Sequence, residues 1–227
     1  MLIDAKLRNR VKEITLDMAN SMQKIAGKCF PKALQVIDRF HVAKLVYDAV
    51  QDLRIAYRWQ VMKDENEKIR VARAKGERYE SEVFCNGDTL RQLLARSRYM
   101  LFKAPNKWTV GQKQRAEILF SQFPDLKDAY YYALRLGKIF TDYTDKDVAR
   151  AKLALWYNEI EEYGYDTFTT VANSIENHYE RILNYFVNRS TNAAAEAFNA
   201  KIKAFRTAFR GVVDKRFFLF RLAKIYA

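Results

Sequence analysis

Two short apolar runs, Val11 to Leu16 and Ala33 to Ile37, constrain this chain more than any other feature. Both are rich in Val, Ile and Thr, and each runs into an aspartate, Asp17 and Asp38. They bracket a helix-like stretch from Asn20 to Phe30 that stops before Pro31. Strand, helix, strand in that order calls for a parallel pairing, because parallel strands are joined through a crossover, usually a helix. No later segment reads as a convincing strand, so the sheet looks incomplete. Seven glycines and three prolines in 227 residues leave few breakers, and apolar residues recur at three- and four-residue spacing elsewhere. The expected fold is mostly α with a small parallel β component.

The periodicity predicts a long helix from Phe40 to about Lys75, then a polar break at Asn86-Gly87-Asp88. Further helices are expected near 88–103, 109–122 and 125–140, and after Thr144, where Thr144 or Asp145 is placed to cap, up to Gly164. Stretches 166–186, 191–209 and 214–226 complete the set. No long flexible linker occurs, so the helical middle reads as an insertion in one core. The expected division is 1–50, 51–180 and 181–227.

A formal charge of +13 draws polyanions before any specific contact forms, and nucleic acid is the natural candidate. The charge is concentrated: from Arg181 to Ala227 ten Lys/Arg face only Glu196 and Asp214, a tail of +8. Cys29 and Cys85 lie in no CxxC or Cys/His cluster, which excludes a disulfide framework and a zinc motif and suits a reducing cytoplasm. No window approaches a membrane span. A Gly-rich phosphate loop, a GxSxG elbow and HExxH are all absent.

Within the tail, Phe198, Ile202, Phe205 and Phe209 fall on one helical face and are expected to pack on the core. One position on, Asn199, Lys203, Arg206 and Arg210 form a second stripe, with Glu196 one turn before it. That pattern suits a metal-holding Glu beside groups that grip phosphate, and equally a solvated face with charge pairing. Asp17 ends the first strand, where open α/β sheets place ligand-binding groups, or it caps the following helix. Asp38 similarly caps the next helix, with His41 bonding in its first turn, or belongs to a site. His178, between Asn177 and Tyr179, reads as a surface histidine.

In order, ITLDM, a helix, FPKALQVIDRFHV, a helical insertion and STNAAAEAFNAKIKAFRTAFRG resemble the DDE transposases of the ISL-three group of bacterial insertion sequences. LLARSRYMLFKAPNKWT and QFPDLKDAYYYALRLGKIF are similar to their insertion, so the likeness runs from about Val11 to Tyr226. The resemblance implies an RNase H-like core interrupted by the insertion, with Asp17 as the second catalytic acid and Glu196 as the third. Asp38 and His41 become a D-x-x-H signature, Asp38 being the fallback second acid. Mg²⁺ or Mn²⁺ on Asp17 and Glu196 is the implied cofactor, transposon-end DNA the implied partner, and a homodimer stays open. Asn199, Lys201, Lys203, Arg206, Arg210, Arg189, Lys215 and Arg216 are the expected DNA contacts. Family members carry a DNA-binding region and the strand bearing the first catalytic Asp ahead of the Val11 segment. The expectation is therefore a truncated transposase, bacterial, cytoplasmic and nucleoid-associated, that binds DNA with little or no strand cleavage. A non-catalytic basic helical nucleic-acid-binding module, or a general RNase H-like nuclease, are the competing readings.

Overall fold

The computed structural model describes residues 3–164, 166–209 and 212–226. A single turn of helix, α1 (Ala5–Arg8), precedes strand β1 (Glu13–Leu16), crossover helix α2 (Asn20–Cys29) and strand β2 (Leu34–Ile37). The strands pair in parallel, Glu13 with Leu34 through Leu16 with Ile37, and form a two-stranded sheet among the described residues. The ladder continues one step, since the Asp38 amide donates to the Leu16 carbonyl at 3.0 Å. Asp17 and Asp38 therefore leave the sheet side by side at its carboxyl end. Gly27 lets α2 lie close on β2, because a Cβ there would stand 3.3 Å from Gln35 Nε2.

Helix α3 (Arg39–Ala74) is 36 residues long. Val42, Val46, Ala49, Val50 and Leu53 bury one stripe of its first half, and no residue after Arg54 is buried. Around that first half pack α4 (Leu90–Arg96), α6 (Pro124–Asp142) and α8 (Asp166–Asn177), with α5 (Val110–Gln122) and α7 (Lys146–Tyr163) completing the layer on α4, α6 and α8. Short helices α9 (Tyr179–Leu183) and α10 (Tyr185–Asn188) return the chain to β2. Buried apolar side chains from β2 to α10 form one continuous cluster, with Tyr130, Leu136, Leu153 and Phe168 fully enclosed. Each such side chain contributes roughly 1.5–3 kcal/mol on burial. Asp145 is the cap of α7, accepting from the amides of Asp147 and Val148 at 2.9 Å. Gly164, in the left-handed region at φ +70°, ends that helix as expected.

Three expectations need correction. The stretch 88–103 is not one helix: α4 stops at Arg96 and a separate 3₁₀ turn covers Met100–Phe102. Carbonyls that would carry the ladder through the break accept from α3 side chains, Leu94 O from Arg54 Nη1 at 2.9 Å and Arg98 O from Gln51 Nε2 at 3.1 Å. The stretch 166–186 breaks at His178, whose φ of −118° is non-helical. Finally, the apolar stripe of α11 (Ala193–Ala208) does not enter the core: the helix has no buried residue. The core is already filled by α3 to α10. The stripe therefore has α12 (Lys215–Tyr226) as its neighbour, with the Phe205 ring 5.4 Å from that of Phe218.

Candidate functional site

Asp38 stands where strand, helix and tail meet. It is 3 % exposed, and both carboxylate oxygens accept main-chain hydrogen bonds. Oδ1 takes the Phe40 amide at 2.9 Å and caps α3; Oδ2 takes the Asn192 amide at 2.7 Å, across 154 residues of chain. The second bond fixes the start of α11 at the carboxyl end of the sheet. One turn into that helix, Glu196 comes to line a cleft of about 430 Å³ together with Asp38, Arg39, Phe40, Thr141 and Thr191. Glu196 is exposed, and its carboxylate makes no hydrogen bond or ion pair with the described residues.

Asp17 follows β1 and its Oδ1 accepts the Ala19 amide at 2.9 Å. It neighbours Asp38 through the strand register, yet it is not among the residues lining the cleft. The capping role foreseen for Asp38 is thus present, whereas Asp17 only closes a turn onto Ala19 and α2 starts at Ala19 without a side-chain cap; the fallback acid is the one that shares the cleft with Glu196. His41 donates its amide to Asp38 O at 3.0 Å, and its ring meets Phe40 edge-on at 5.7 Å. Among the described residues, no three His, Cys, Asp or Glu side chains group as a metal-holding set.

The expected DNA contacts separate into two kinds. Asn199, Lys201, Lys203 and Arg206 are exposed on α11, and Lys215 and Arg216 are exposed on the first turn of α12. Cations at a helix amino end oppose the helix dipole, and Asp214 offsets this by accepting the Arg216 and Phe217 amides at 2.8 and 3.1 Å. Arg189 is different: its guanidinium donates to the carbonyls of Phe140 and Thr141 at 2.5 and 3.4 Å, at the carboxyl end of α6. Arg210 lies outside the described residues.

His178 is not on the surface, being 5 % exposed, with Gln23 Nε2 3.2 Å from its Nδ1. Helix α2 covers it, a contact that no local pattern announces. Burial, and then the charge of Arg181, push its pKa below the ordinary value, against main-chain hydrogen bonds at Met18 and Asn177. A base depressed in the folded state binds fewer protons than the unfolded chain. Stability is therefore complete above the unfolded value near 6.5 and falls as pH drops through it toward the folded value. Urea midpoints measured between pH 5 and 8 should show this slope in the wild type and a flatter one in His178→Gln; equal slopes would remove His178 as its source.

No helix among the described residues is long and apolar enough to cross a membrane. A family model described as a transposase, of the DDE type and ISL-three group, matches residues 1–222. No curated protein and no solved structure matches the chain.

Proposed function

Because the chain belongs to the ISL-three family of transposases across residues 1–222, we propose that it serves DNA transposition through an acidic cleft at the carboxyl end of its parallel strands. One observation carries this reading. Asp38 ties the start of α11 to the sheet, so that Glu196 faces the cleft while Asn199, Lys203 and Arg206 follow on the same helix.

Hard carboxylate oxygens suit Mg²⁺, which takes one or two of them and completes its shell with water and substrate phosphates. The donors fit that requirement: the Glu196 carboxylate is unpaired among the described residues, and Asp17 has a hydrogen bond on one oxygen. Glu196 would hold the ion, with Asp17 at the neighbouring strand end or, as the acid that lines the cleft with Glu196, Asp38 as the second donor. When bound, the metal polarises a DNA phosphate and lowers the pKa of an attacking hydroxyl or water. The chain's own contribution is to hold and aim the DNA. Lys203 and Arg206, with Asn199, neutralise the backbone beside the cleft, and Lys201, Lys215 and Arg216 extend the basic track. Thr191 on the cleft wall, whose oxygen accepts the Ala193 amide, offers its hydroxyl hydrogen to a phosphate oxygen.

On this reading residues 1–50 are part of an RNase H-like core, 51–180 an insertion, and 181–227 the segment that brings the third acid. On the same reading the basic track beside the cleft holds DNA, whichever strand chemistry follows. Manganese EPR in the presence of a short duplex tests the site. Wild-type protein should bind Mn²⁺, and Glu196→Gln or Asp17→Asn should weaken binding by roughly tenfold or more, in keeping with the removal of inner-sphere oxygens. Equal affinities in all three would favour the non-catalytic basic module.

A further inference from the structure

A second cationic cluster joins α3, fifteen and nineteen residues beyond the cleft's Arg39, to the turn after α4. Arg54 is 4 % exposed, an unusual place for a guanidinium, and no carboxylate bonds to it among the described residues. Its Nε donates to Gln51 Oε1 at 2.8 Å and its Nη1 to Leu94 O at 2.9 Å. Gln51 Nε2 in turn donates to Arg98 O at 3.1 Å, which draws Arg98 to the same place. Arg58, one helical turn after Arg54, completes the group; its Nε is buried and has no hydrogen-bond partner among the described residues. Burial, then the like charges of Arg58 and Arg98, depress the pKa of Arg54.

Three guanidinium groups brought together with no acid bonded to Arg54 among the described residues repel one another, and the buried Arg54 and half-buried Arg58 lose hydration that no carboxylate replaces. An anion relieves both costs. The groups are graded from the interior outward, Arg54 buried, Arg58 half-buried and Arg98 exposed, so an anion arriving from solvent meets donors at every depth. Exposed rings adjoin the cluster in the chain: Trp59, next after Arg58, is 66 % and Tyr99, next after Arg98, 69 % exposed, and the Arg98 guanidinium lies 5.3 Å from the Tyr99 ring centroid. Forked guanidinium donors match phosphate oxygens in pairs, and flat exposed rings stack on bases.

We propose that Arg58 and Arg98, backed by Arg54 and flanked by Trp59 and Tyr99, form a second DNA phosphate-binding site on the insertion, separate from the cleft and tail. The inference rests on the reading of DNA as the partner. The charge of the cluster favours a phosphodiester backbone over an acidic peptide, since a peptide would leave the adjoining rings without the sugars, or the bases at an unpaired end, that DNA brings.

The test uses the full chain, a labelled duplex and Trp59 emission, with Trp59→Phe identifying the signal. Arg58→Gln with Arg98→Gln should weaken duplex binding on the order of tenfold at 0.1 M salt and lower the salt slope by about 2, one unit for each phosphate no longer neutralised. The exposed Arg98→Gln alone should give about half of that slope change, which guards against a folding defect from Arg58. DNA should quench Trp59 in the wild type and in Lys203→Ala/Arg206→Ala, but not in the double Arg variant. If the tail variant weakens binding while the Arg variants bind and quench as wild type does, the second site is overturned and the DNA reading stands. If inorganic phosphate at constant ionic strength quenches Trp59 as duplex does, the cluster is a small-anion site and the proposal fails. A wild-type chain that binds no duplex even at low salt overturns the partner reading and this site together.

Discussion

Asp88→Ala is expected to cost about 3 kcal/mol of stability, the low end of the roughly 3–5 kcal/mol range for breaking a buried ion pair. The Asp88 side chain is fully buried, and its two oxygens receive Arg96 on one side and Arg115 at 2.7 Å on the other, with Asn86 Nδ2 at 3.0 Å. One carboxylate thus joins the Asn86-Gly87 turn to α4 and α5. The low end applies because Arg96 keeps half its side chain in water and rehydrates when orphaned, whereas Arg115 is more enclosed. Burial raises the Asp88 pKa, but the hydrogen bonds and charges of Arg115 and Arg96 outweigh it and hold the carboxyl below its ordinary value. A depressed acid contributes stability above the unfolded value near 3.9 and loses it as pH falls through the folded value. The variant should therefore be destabilised at pH 7 and should lack the wild type's last acid-induced loss. A urea-derived difference under about 1 kcal/mol would show that the turn holds without the triad.

Asp38→Ala should cost about 2–3 kcal/mol and, unlike Asp88→Ala, should release a specific segment. The α3 cap is worth about 1 kcal/mol, and the Asn192 amide left without its acceptor adds roughly 1–2 kcal/mol. The second loss unties α11, so amide exchange and proteolysis should rise around Asn192 before the core opens. Asp38→Asn offers a single carbonyl oxygen and should fall between wild type and alanine. Unchanged protection at Asn192 in the alanine variant would mean that α11 is held by something other than this carboxylate.

The part of the fold legible in the sequence is the part whose local and distant demands agree. β1, α2 and β2 were readable because Val36 and Ile37 are buried by the same parallel pairing that their spacing requires. Capping by Asp38 and Asp145 was readable because a cap acts within three residues. The misreadings come from partners far along the chain. His178 looked exposed because its covering group, Gln23, is 155 residues away. Asp88 read as part of a polar break, and Arg115, 27 residues on, gives it a role. On α11 the spacing of Phe198, Ile202, Phe205 and Phe209 correctly announced an apolar face, but spacing cannot say whether a surface remains to receive it. The juxtaposition of Asp38 with Glu196 was open only through the resemblance, which kept Asp38 as the fallback second acid, because the hydrogen bond to Asn192 that brings them together spans 154 residues.

Helix α3 begins at the cleft with Arg39 and carries Arg58 in the same unbroken element. At 1.5 Å per residue the interval is roughly 30 Å, the axial length of about eight or nine base pairs at 3.4 Å each. If the cleft and the Arg58 cluster grip one duplex as proposed, a rod of fixed length between them works as a ruler. It would set how many base pairs separate the reacting phosphate from the point where the duplex is held. Because each residue also turns the helix by about 100°, inserting even one would change the reach and swing the grip off the DNA.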